Sequence, residues 1–244
     1  MIKAIFFDID DTMYDYSSAD IKATQAIKVY CKTQLNLSEG EYDLYINQAR
    51  KLADSRIKRG ASLHNRLIRF QCLLETLGKP LFPYAEELYR YYWDTLIADI
   101  KPGDGVVEVL KKLRKLGIYI GIGTNMTADI QYQKIRALGI GEWIDGVVTS
   151  EEAGIEKPGK EFFLLCLEKA MCNSSECAFV GDSLKGDVLG ACAVGMQGVL
   201  YDKKNQTQIC GDERNKEYKI IHHFRELFKA LGINEIKDEI LKGV

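Results

Sequence analysis

Three carboxylates stand close together near the start of the chain, at Asp8, Asp10 and Asp11. They follow an apolar run, residues 2–7, that is typical of a short buried β-strand. Because side chains alternate along an extended chain, Asp8 and Asp10 point to the same side if the strand continues. Two such carboxylates repel each other unless a cation or a proton lies between them. The pair suits a hard metal such as Mg²⁺, or a nucleophile with an acid/base partner, although helix capping or a turn would also explain these acids.

Further polar side chains stand where later strands are predicted to end. They are Thr124 and Asn125 after one strand, Lys157 after the next, and Asp182 with Asp187 after a third. In an open parallel sheet, ligands bind outside the carboxyl ends of the strands. Carboxylates, a hydroxyl, an amide and a lysine at one such edge can hold a divalent cation and a phosphate together. Each residue alone could be a helix cap, a turn residue or a solvated lysine, but their occurrence at several strand ends favours a shared site.

Strands and helices alternate from residue 100 onward. This alternation predicts an α/β fold, with a mainly parallel, Rossmann-like sheet covered by helices. The predicted strands after the first span residues 118–125, 146–150, 177–182 and 198–202, with a candidate edge strand at 219–222. The predicted helices span residues 106–116, 128–138, 160–171, 187–194 and 223–231.

The stretch between the first strand and residue 100 shows helical periodicity and no convincing strand. Ser38, with Glu41 three residues later, matches a capping box, and Ser62 is predicted to cap the third of four helices. Four helices with short connections indicate a small antiparallel unit inserted after the first strand. The predicted domains are an α/β core, residues 1–14 and 99–244, and a helical cap, residues 15–98.

The composition is that of an ordinary globular protein, with 244 residues, 46% of them hydrophobic and 28% charged. A net charge of −2 gives no basic field for a nucleic acid or a membrane surface. No apolar run approaches the roughly 20 residues of a membrane span, and the strand-like start leaves no room for a signal peptide. The seven cysteines are scattered, which predicts reduced thiols of a cytoplasmic protein and no structural zinc. The sequence carries no indication of an oligomeric state.

Other motifs for phosphate binding or hydrolysis are not matched. The pair Gly121 and Gly123 lacks the third glycine of a dinucleotide fingerprint, because Met126 stands there. Neither a P-loop nor a G-x-S-x-G sequence occurs. The histidines, among them His64, lack metal-ligand spacing and are interpreted as ordinary residues.

The polar groups together match four motifs, in order, of a known family. The motifs are Asp8-Ile9-Asp10-Asp11-Thr12, Thr124-Asn125, Lys157-Pro158, and Gly181-Asp182-Ser183 with Asp187. The chain therefore resembles the haloacid dehalogenase (HAD) superfamily, in the branch with a helical C1-type cap after the first strand. Asp10 favours phosphate chemistry, because the dehalogenases of the family lack this second aspartate. One departure is Asp11, where many relatives carry glycine.

The resemblance implies a role for each motif. Asp8 would be the nucleophile that forms an aspartyl-phosphate, and Asp10 would protonate the leaving oxygen and then activate water. Mg²⁺ would be held by Asp8, the backbone carbonyl of Asp10, and Asp182, with Asp187 in support. The phosphoryl oxygens would be bound by Thr124, Asn125 and Lys157.

The implied function is that of a Mg²⁺-dependent phosphatase for a small phosphorylated metabolite, either a nucleoside monophosphate or a sugar phosphate. The alternatives are a phosphomutase of the same superfamily and a non-catalytic phosphate-binding or phospho-aspartate signalling domain. Arg66 or Arg69 is the candidate for a cap cation that reaches the substrate. Tyr14 and Tyr16 are placed at the hinge into the cap, where they could close over the site.

Overall fold

The computed structural model describes residues 1–57, 60–203 and 218–234. Its centre is a parallel sheet of six strands, in the order β3-β2-β1-β4-β5-β6. The strands are β1 Ala4–Phe7, β2 Tyr119–Thr124, β3 Gly146–Thr149, β4 Cys177–Gly181, β5 Gln197–Tyr201 and β6 Tyr218–Ile221. The predicted α/β fold is confirmed, and the candidate edge strand forms as β6.

The strand order places β1 at the centre of the sheet. The chain runs outward from β1 to β3, crosses to the other side, and continues from β4 to β6. Ala4 of β1 therefore pairs with Tyr119 on one side and Cys177 on the other. The order reverses between β1 and β4, which is where doubly wound folds form their ligand crevice. The residues that follow β1 and β4 are those that carry most of the predicted carboxylates.

Strand β1 is buried on both faces. Ala4 and Phe6 belong to the core on one side of the sheet, and Ile5 and Phe7 belong to the core on the other. Phe6 also explains a glycine in β2, because a Cβ on Gly121 would lie 2.2 Å from the ring of Phe6. The Gly121-x-Gly123 pattern therefore makes room for aromatic packing in the core.

The helices of the α/β part largely follow the predicted pattern. They are α5 Val106–Lys115, α6 Ala128–Ala137, α7 Ser150–Ala153, α8 Lys160–Ala170, α9 Gly190–Cys192 and α10 Leu227–Leu231. The short α7 was not predicted. The helix predicted from Asp187 begins earlier, as a π-helical turn at Leu184–Leu189 that precedes α9. It begins there because the hydroxyl of Ser183 accepts a hydrogen bond of 3.0 Å from the backbone N–H of Gly186.

Four helices lie between β1 and α5 in the described chain. They are α1 Tyr16–Gln34, α2 Glu39–Arg56, α3 Arg66–Thr76 and α4 Tyr84–Ile97. The capping box of Ser38 and Glu41 is present at α2. The prediction that Ser62 caps the third helix is wrong, because Asn65 accepts hydrogen bonds from the first turn of α3 instead. Ser62 lies in a preceding 3₁₀ turn, Ala61–His64.

Two chain crossings connect this helical unit to the sheet. They meet at a hydrogen bond of 2.7 Å, which the backbone N–H of Gly103 donates to the carbonyl of Met13. The boundaries of a cap domain at residues 15 and 98 stay a prediction. Within the described residues, none of the helices has both the length and the apolar character that crossing a membrane requires.

The expectation of seven reduced cysteines is wrong at one pair. The structure joins Cys172 and Cys177 in a disulfide. Cys172 follows α8 and Cys177 begins β4, so the short turn between them brings the two together, which their spacing alone did not indicate. Cys31, Cys72 and Cys166 are buried thiols, and Cys210 lies outside the described residues.

Candidate active site

A cavity of about 330 Å³ opens at the carboxyl ends of β1, β2 and β4. The seven side chains that the family motifs assign to catalysis, phosphate binding or metal binding all line this cavity. They are Asp8, Asp10, Thr124, Asn125, Lys157, Asp182 and Asp187. The ends of β1, β2 and β4, together with the segment after α7 that carries Lys157, therefore bring their polar residues to one place, as a parallel sheet allows.

Lys157 is the central cation of the cavity, with only 4% of its side chain exposed. Its Nζ lies 2.7 Å from Asp8 Oδ1 and 2.7 Å from Asp187 Oδ1. It also donates a hydrogen bond of 3.0 Å to the carbonyl of Gly123. Asn125 holds the same loop, because its Oδ1 accepts a hydrogen bond of 2.9 Å from the backbone N–H of Lys157. One ammonium thus serves two buried carboxylates.

Because Asp8 shares the Lys157 ammonium with Asp187, the positive charge only partly compensates for the burial of the Asp8 carboxylate. Burial raises the pKa of the Asp8 carboxyl to about 7, and the charges of Asp187 and Asp10 act in the same direction. Lys157 opposes this rise but does not cancel it. Burial also disfavours the charge of Lys157, yet Asp187 and Asp8 outweigh it and raise the pKa of the ammonium. Lys157 therefore stays charged, while Asp8 binds a proton more readily than a free aspartate does.

The residues present fit a divalent cation. Asp8, Asp182 and Asp187 each offer a carboxylate oxygen, and these atoms lie within 4.8 Å of one another. Burial raises the pKa of Asp182 to about 6, with contributions from Asp187 and Asp11. When all three carboxylates are ionised, their charge exceeds that of Lys157 by two, which matches the charge of Mg²⁺. Hard carboxylate oxygens are also the ligands that Mg²⁺ prefers.

The Asp10 carboxylate has different partners. Lys134 Nζ lies 2.7 and 2.8 Å from its two oxygens, and the Tyr14 hydroxyl donates a hydrogen bond of 2.7 Å to Oδ1. Gln131 Nε2 lies 3.4 Å from Oδ2. Burial opposes ionisation of Asp10, but the Lys134 ammonium and these hydrogen bonds outweigh it and lower the pKa of the carboxyl. The pKa of Asp8 is therefore raised, whereas the pKa of Asp10 is lowered.

Lys134 and Gln131 were missed at the sequence level. Both are fully buried on α6, beside the apolar residues Ile130 and Ile135. The available indication was their position: two polar side chains stand on the apolar stripe of an amphipathic helix, where a long cation needs a partner. Gln131 also donates a hydrogen bond of 2.9 Å to the hydroxyl of Thr124.

The helical unit contributes Tyr16 and His64 to the cavity lining. The interpretation of His64 as an ordinary residue does not anticipate this position. Its Nε2 lies 3.0 Å from Oε1 of Glu156, the residue before Lys157 in the chain. Arg66 instead lies within the helical unit, where it donates hydrogen bonds to the hydroxyls of Tyr16 and Tyr92. Arg69 donates to the carbonyl of Leu63 and is not among the described lining residues.

Gly181 sets the position of Asp187. A Cβ at residue 181 would lie 2.3 Å from Asp187 Oδ2, so Gly181→Ala must displace that carboxylate. We expect Mg²⁺ affinity, measured by calorimetry, to fall by about 10- to 100-fold, as when the support of a metal ligand is lost. Gly40→Ala in α2 is the control, because nothing lies within 4 Å of a Cβ there and its affinity should not change. Unchanged affinity in Gly181→Ala would show that Asp187 does not support the metal.

Comparison with protein families gives one match over most of the chain. The model of the haloacid dehalogenase-like hydrolases matches residues 2–195. This range contains every residue of the cavity described above.

Two curated relatives match over most of their own length. A ribulose-1,5-bisphosphate 5-phosphatase of Halopiger xanaduensis is 33% identical over 210 residues, or 85% of this chain and 87% of the relative. A glyceraldehyde 3-phosphate phosphatase of Methanopyrus kandleri is 32% identical over 240 residues, or 94% of this chain and 100% of the relative.

A solved structure supports the same fold. A magnesium-bound HAD hydrolase from Bacillus subtilis superposes with a TM-score of 0.68, covering 95% of this chain and 99% of that one. Its sequence identity is 23%, so the likeness concerns the fold alone.

Proposed function

The chain belongs to the haloacid dehalogenase-like hydrolases and is a phosphoric monoester hydrolase of that family, and on this basis we propose that it is a Mg²⁺-dependent phosphatase of a small sugar phosphate. The observation that carries the proposal is a cavity in which a buried carboxylate, Asp8, forms an ion pair with a lysine and lies close to two further carboxylates that could hold a metal ion. Both relatives named above act on phosphorylated sugars, which favours that substrate class over nucleoside monophosphates.

The proposed reaction begins with attack of an Asp8 oxygen on phosphorus. Asp10 enters this step protonated, a form that the negative charge of the bound phosphoryl group favours and that its partners in the free protein disfavour. The bond from phosphorus to the leaving oxygen breaks, and Asp10 donates its proton to that oxygen. Water then attacks the phosphorus of the aspartyl-phosphate while Asp10 accepts a proton from it. The bond between phosphorus and the Asp8 oxygen breaks, which releases inorganic phosphate and restores both carboxyl groups. Bound through Asp8, Asp182 and Asp187, Mg²⁺ would neutralise negative charge on the phosphoryl group.

The other polar groups would position the phosphoryl group. Lys157 carries a positive charge beside Asp8, so it can attract a phosphoryl oxygen to the nucleophile. Thr124 and Asn125 follow β2 at the same edge and would hydrogen-bond the remaining oxygens. Phosphoryl transfer depends above all on positioning and charge neutralisation, and this cavity supplies both.

The experiment is a panel of phosphomonoesters with the purified protein. The panel includes glyceraldehyde 3-phosphate, ribulose 1,5-bisphosphate, hexose phosphates and nucleoside monophosphates, each with Mg²⁺ and with EDTA. We expect Mg²⁺-dependent release of phosphate, fastest from a sugar phosphate. Analysis of the sugar product separates hydrolysis from the phosphomutase alternative. Preference for nucleoside monophosphates, or turnover that survives EDTA, would contradict the proposal.

Metal binding should depend on pH. The pKa of Asp8 is raised to about 7 and that of Asp182 to about 6, so both bind protons below neutrality in the metal-free protein. Mg²⁺ must displace these protons, and we expect its apparent affinity to fall by about tenfold or more from about pH 8 to about pH 5.5. Calorimetric titrations in buffers of different ionisation enthalpy would also show proton release. Equal affinity at both pH values would contradict this prediction.

A further inference from the structure

Lys134 is a buried cation for which the reaction above has no role. Its side chain on α6 has an exposure of 0%, so its ammonium has left water completely. A buried ammonium is tolerated only when it is paired and hydrogen-bonded. Its ion pair is with Asp10, whose two oxygens lie 2.7 and 2.8 Å from Nζ. The ion pair with Asp10, the proposed acid/base residue, therefore offsets the free-energy cost of burying Lys134.

The hydrogen bonds to the Asp10 carboxylate restrict its orientation. Lys134, the Tyr14 hydroxyl and the more distant Gln131 amide all approach the Asp10 carboxylate, whose side chain remains 25% exposed. A carboxylate has about four lone-pair sites, and these contacts approach all four of them, two at each oxygen. The contact from Gln131 is the longest, at 3.4 Å, so a proton on Asp10 takes the place of the weakest contact. With both oxygens held by one ammonium, rotation of the carboxylate is restricted. Asp10 is therefore fixed in one orientation while it still lines the cavity.

Aromatic rings hold the ammonium in turn. The rings of Tyr16 and Trp93 have centroids 5.2 and 5.4 Å from Lys134 Nζ, and Tyr14 lies at 6.0 Å. These distances allow cation–π attraction, which is stronger away from water. Tyr16 belongs to α1 and Trp93 to α4, so the helical unit helps to place the lysine.

We propose that Lys134 is a positioning residue, which fixes the Asp10 carboxylate in the orientation from which it transfers a proton to the leaving oxygen. The inference rests on the proposed phosphatase function. A residue that only stabilises the fold would affect all substrates alike. A residue that orients the proton donor affects most the substrates whose leaving oxygen needs a proton.

The test compares two substrates in Lys134→Met. The alkoxide leaving group of a sugar phosphate needs protonation, whereas p-nitrophenolate leaves without it. We expect kcat/KM for the sugar phosphate to fall by about 100-fold or more, the range of general acid catalysis. The first turnover of p-nitrophenyl phosphate, followed as a rapid burst of nitrophenolate, should change little. The burst is used because the later hydrolysis of the intermediate also needs Asp10.

Three further variants keep the test decisive. Lys134→Arg should recover part of the sugar phosphate activity. Tyr14→Phe removes one hydrogen-bond donor to Asp10 and keeps the buried charge of Lys134, so it serves as the test if Lys134→Met does not fold. It should lose less sugar phosphate activity than expected for Lys134→Met, again with little change in the p-nitrophenyl phosphate burst. Lys169→Met is the matched control. Lys169 lies on α8 and donates hydrogen bonds to the carbonyl of Val147 on β3 and to Glu152 on α7, none of which lines the cavity, so activity toward both substrates should be unaffected.

Equal losses for both substrates, or no loss for either, would overturn the positioning role. The wild-type protein must first hydrolyse both substrates. If it hydrolyses neither, the proposed function fails, and that result is distinct from failure of the role of Lys134.

Discussion

Asp8→Asn should abolish turnover, with a fall in kcat by a factor of about 10⁴ or more, as when a nucleophile is removed from other hydrolases. The amide has nearly the shape of the carboxylate but cannot attack phosphorus. Folding should not suffer. Because burial raises the pKa of Asp8 to about 7, the ionised carboxylate destabilises the metal-free fold above that pH. The melting temperature of the variant at about pH 8, without Mg²⁺, should therefore be equal to or higher than that of the wild type.

Asp11→Asn is the matched control for this variant. Asp11 undergoes the same chemical change three residues away, but its carboxylate accepts hydrogen bonds from Ser17 at the start of α1. Its positive φ of 56° is one that asparagine also adopts readily. We expect kcat to stay near the wild-type value. Comparable losses in both variants would mean that charge in this loop, and not a nucleophile at residue 8, is what the reaction needs.

Lys157→Met should have the largest combined effect on activity and stability. The change leaves Asp8 and Asp187 buried without their shared cation, and breaking such a pair from one side costs about 3–5 kcal/mol of folding free energy. The variant also loses a cation that we assign to the phosphoryl group, so kcat should fall by about 100-fold or more. Chemical denaturation measures the first effect and phosphate release with Mg²⁺ measures the second.

The stability loss in Lys157→Met should depend on pH. Lys157 lowers the pKa of Asp8, which is about 7 in the wild type, so its removal raises that pKa further. A carboxyl with a raised pKa in the folded state stabilises the fold while it is protonated, and this stability is lost as pH rises through that pKa. The variant should therefore be more stable at about pH 5.5 than at about pH 8.

Lys160→Met separates this effect from the loss of a surface charge. Lys160 is exposed at the start of α8, so its replacement should change stability by no more than about 0.5 kcal/mol. If Lys157→Met were as stable as Lys160→Met at neutral pH, the buried ion pairs would not hold the cavity together.

The strand ends were predictable because their information is local. An apolar run that stops at Asp8 and Asp10 indicates a buried strand with polar residues at its end. In a parallel sheet the carboxyl ends of the strands lie at one edge, so the polar residues of several strands meet there. The order of the strands was not predicted, since it depends on pairings between distant segments such as Ala4 with Cys177. The fold class was therefore readable from the sequence, whereas the position of the crevice between β1 and β4 needed the structure.

The surroundings of Asp10 could not be predicted for a related reason. Lys134 lies in a helix far from Asp10 in the chain, and its burial looks unfavourable until its partner is known. Ser62 shows the opposite error: local capping chemistry favoured it, but Asn65, three residues later, is the residue that caps α3. Local sequence patterns therefore do not determine which distant charged residues pair, or which of two nearby residues caps a helix.

The central place of β1 also determines the order in which the protein can be assembled during translation. This strand is made first, but its two neighbours, β2 and β4, emerge from the ribosome only after the whole helical unit. Lys134 and Lys157, the partners of Asp10 and Asp8, also follow the helical unit in the chain, so a nascent chain that ends before them has no reaction centre.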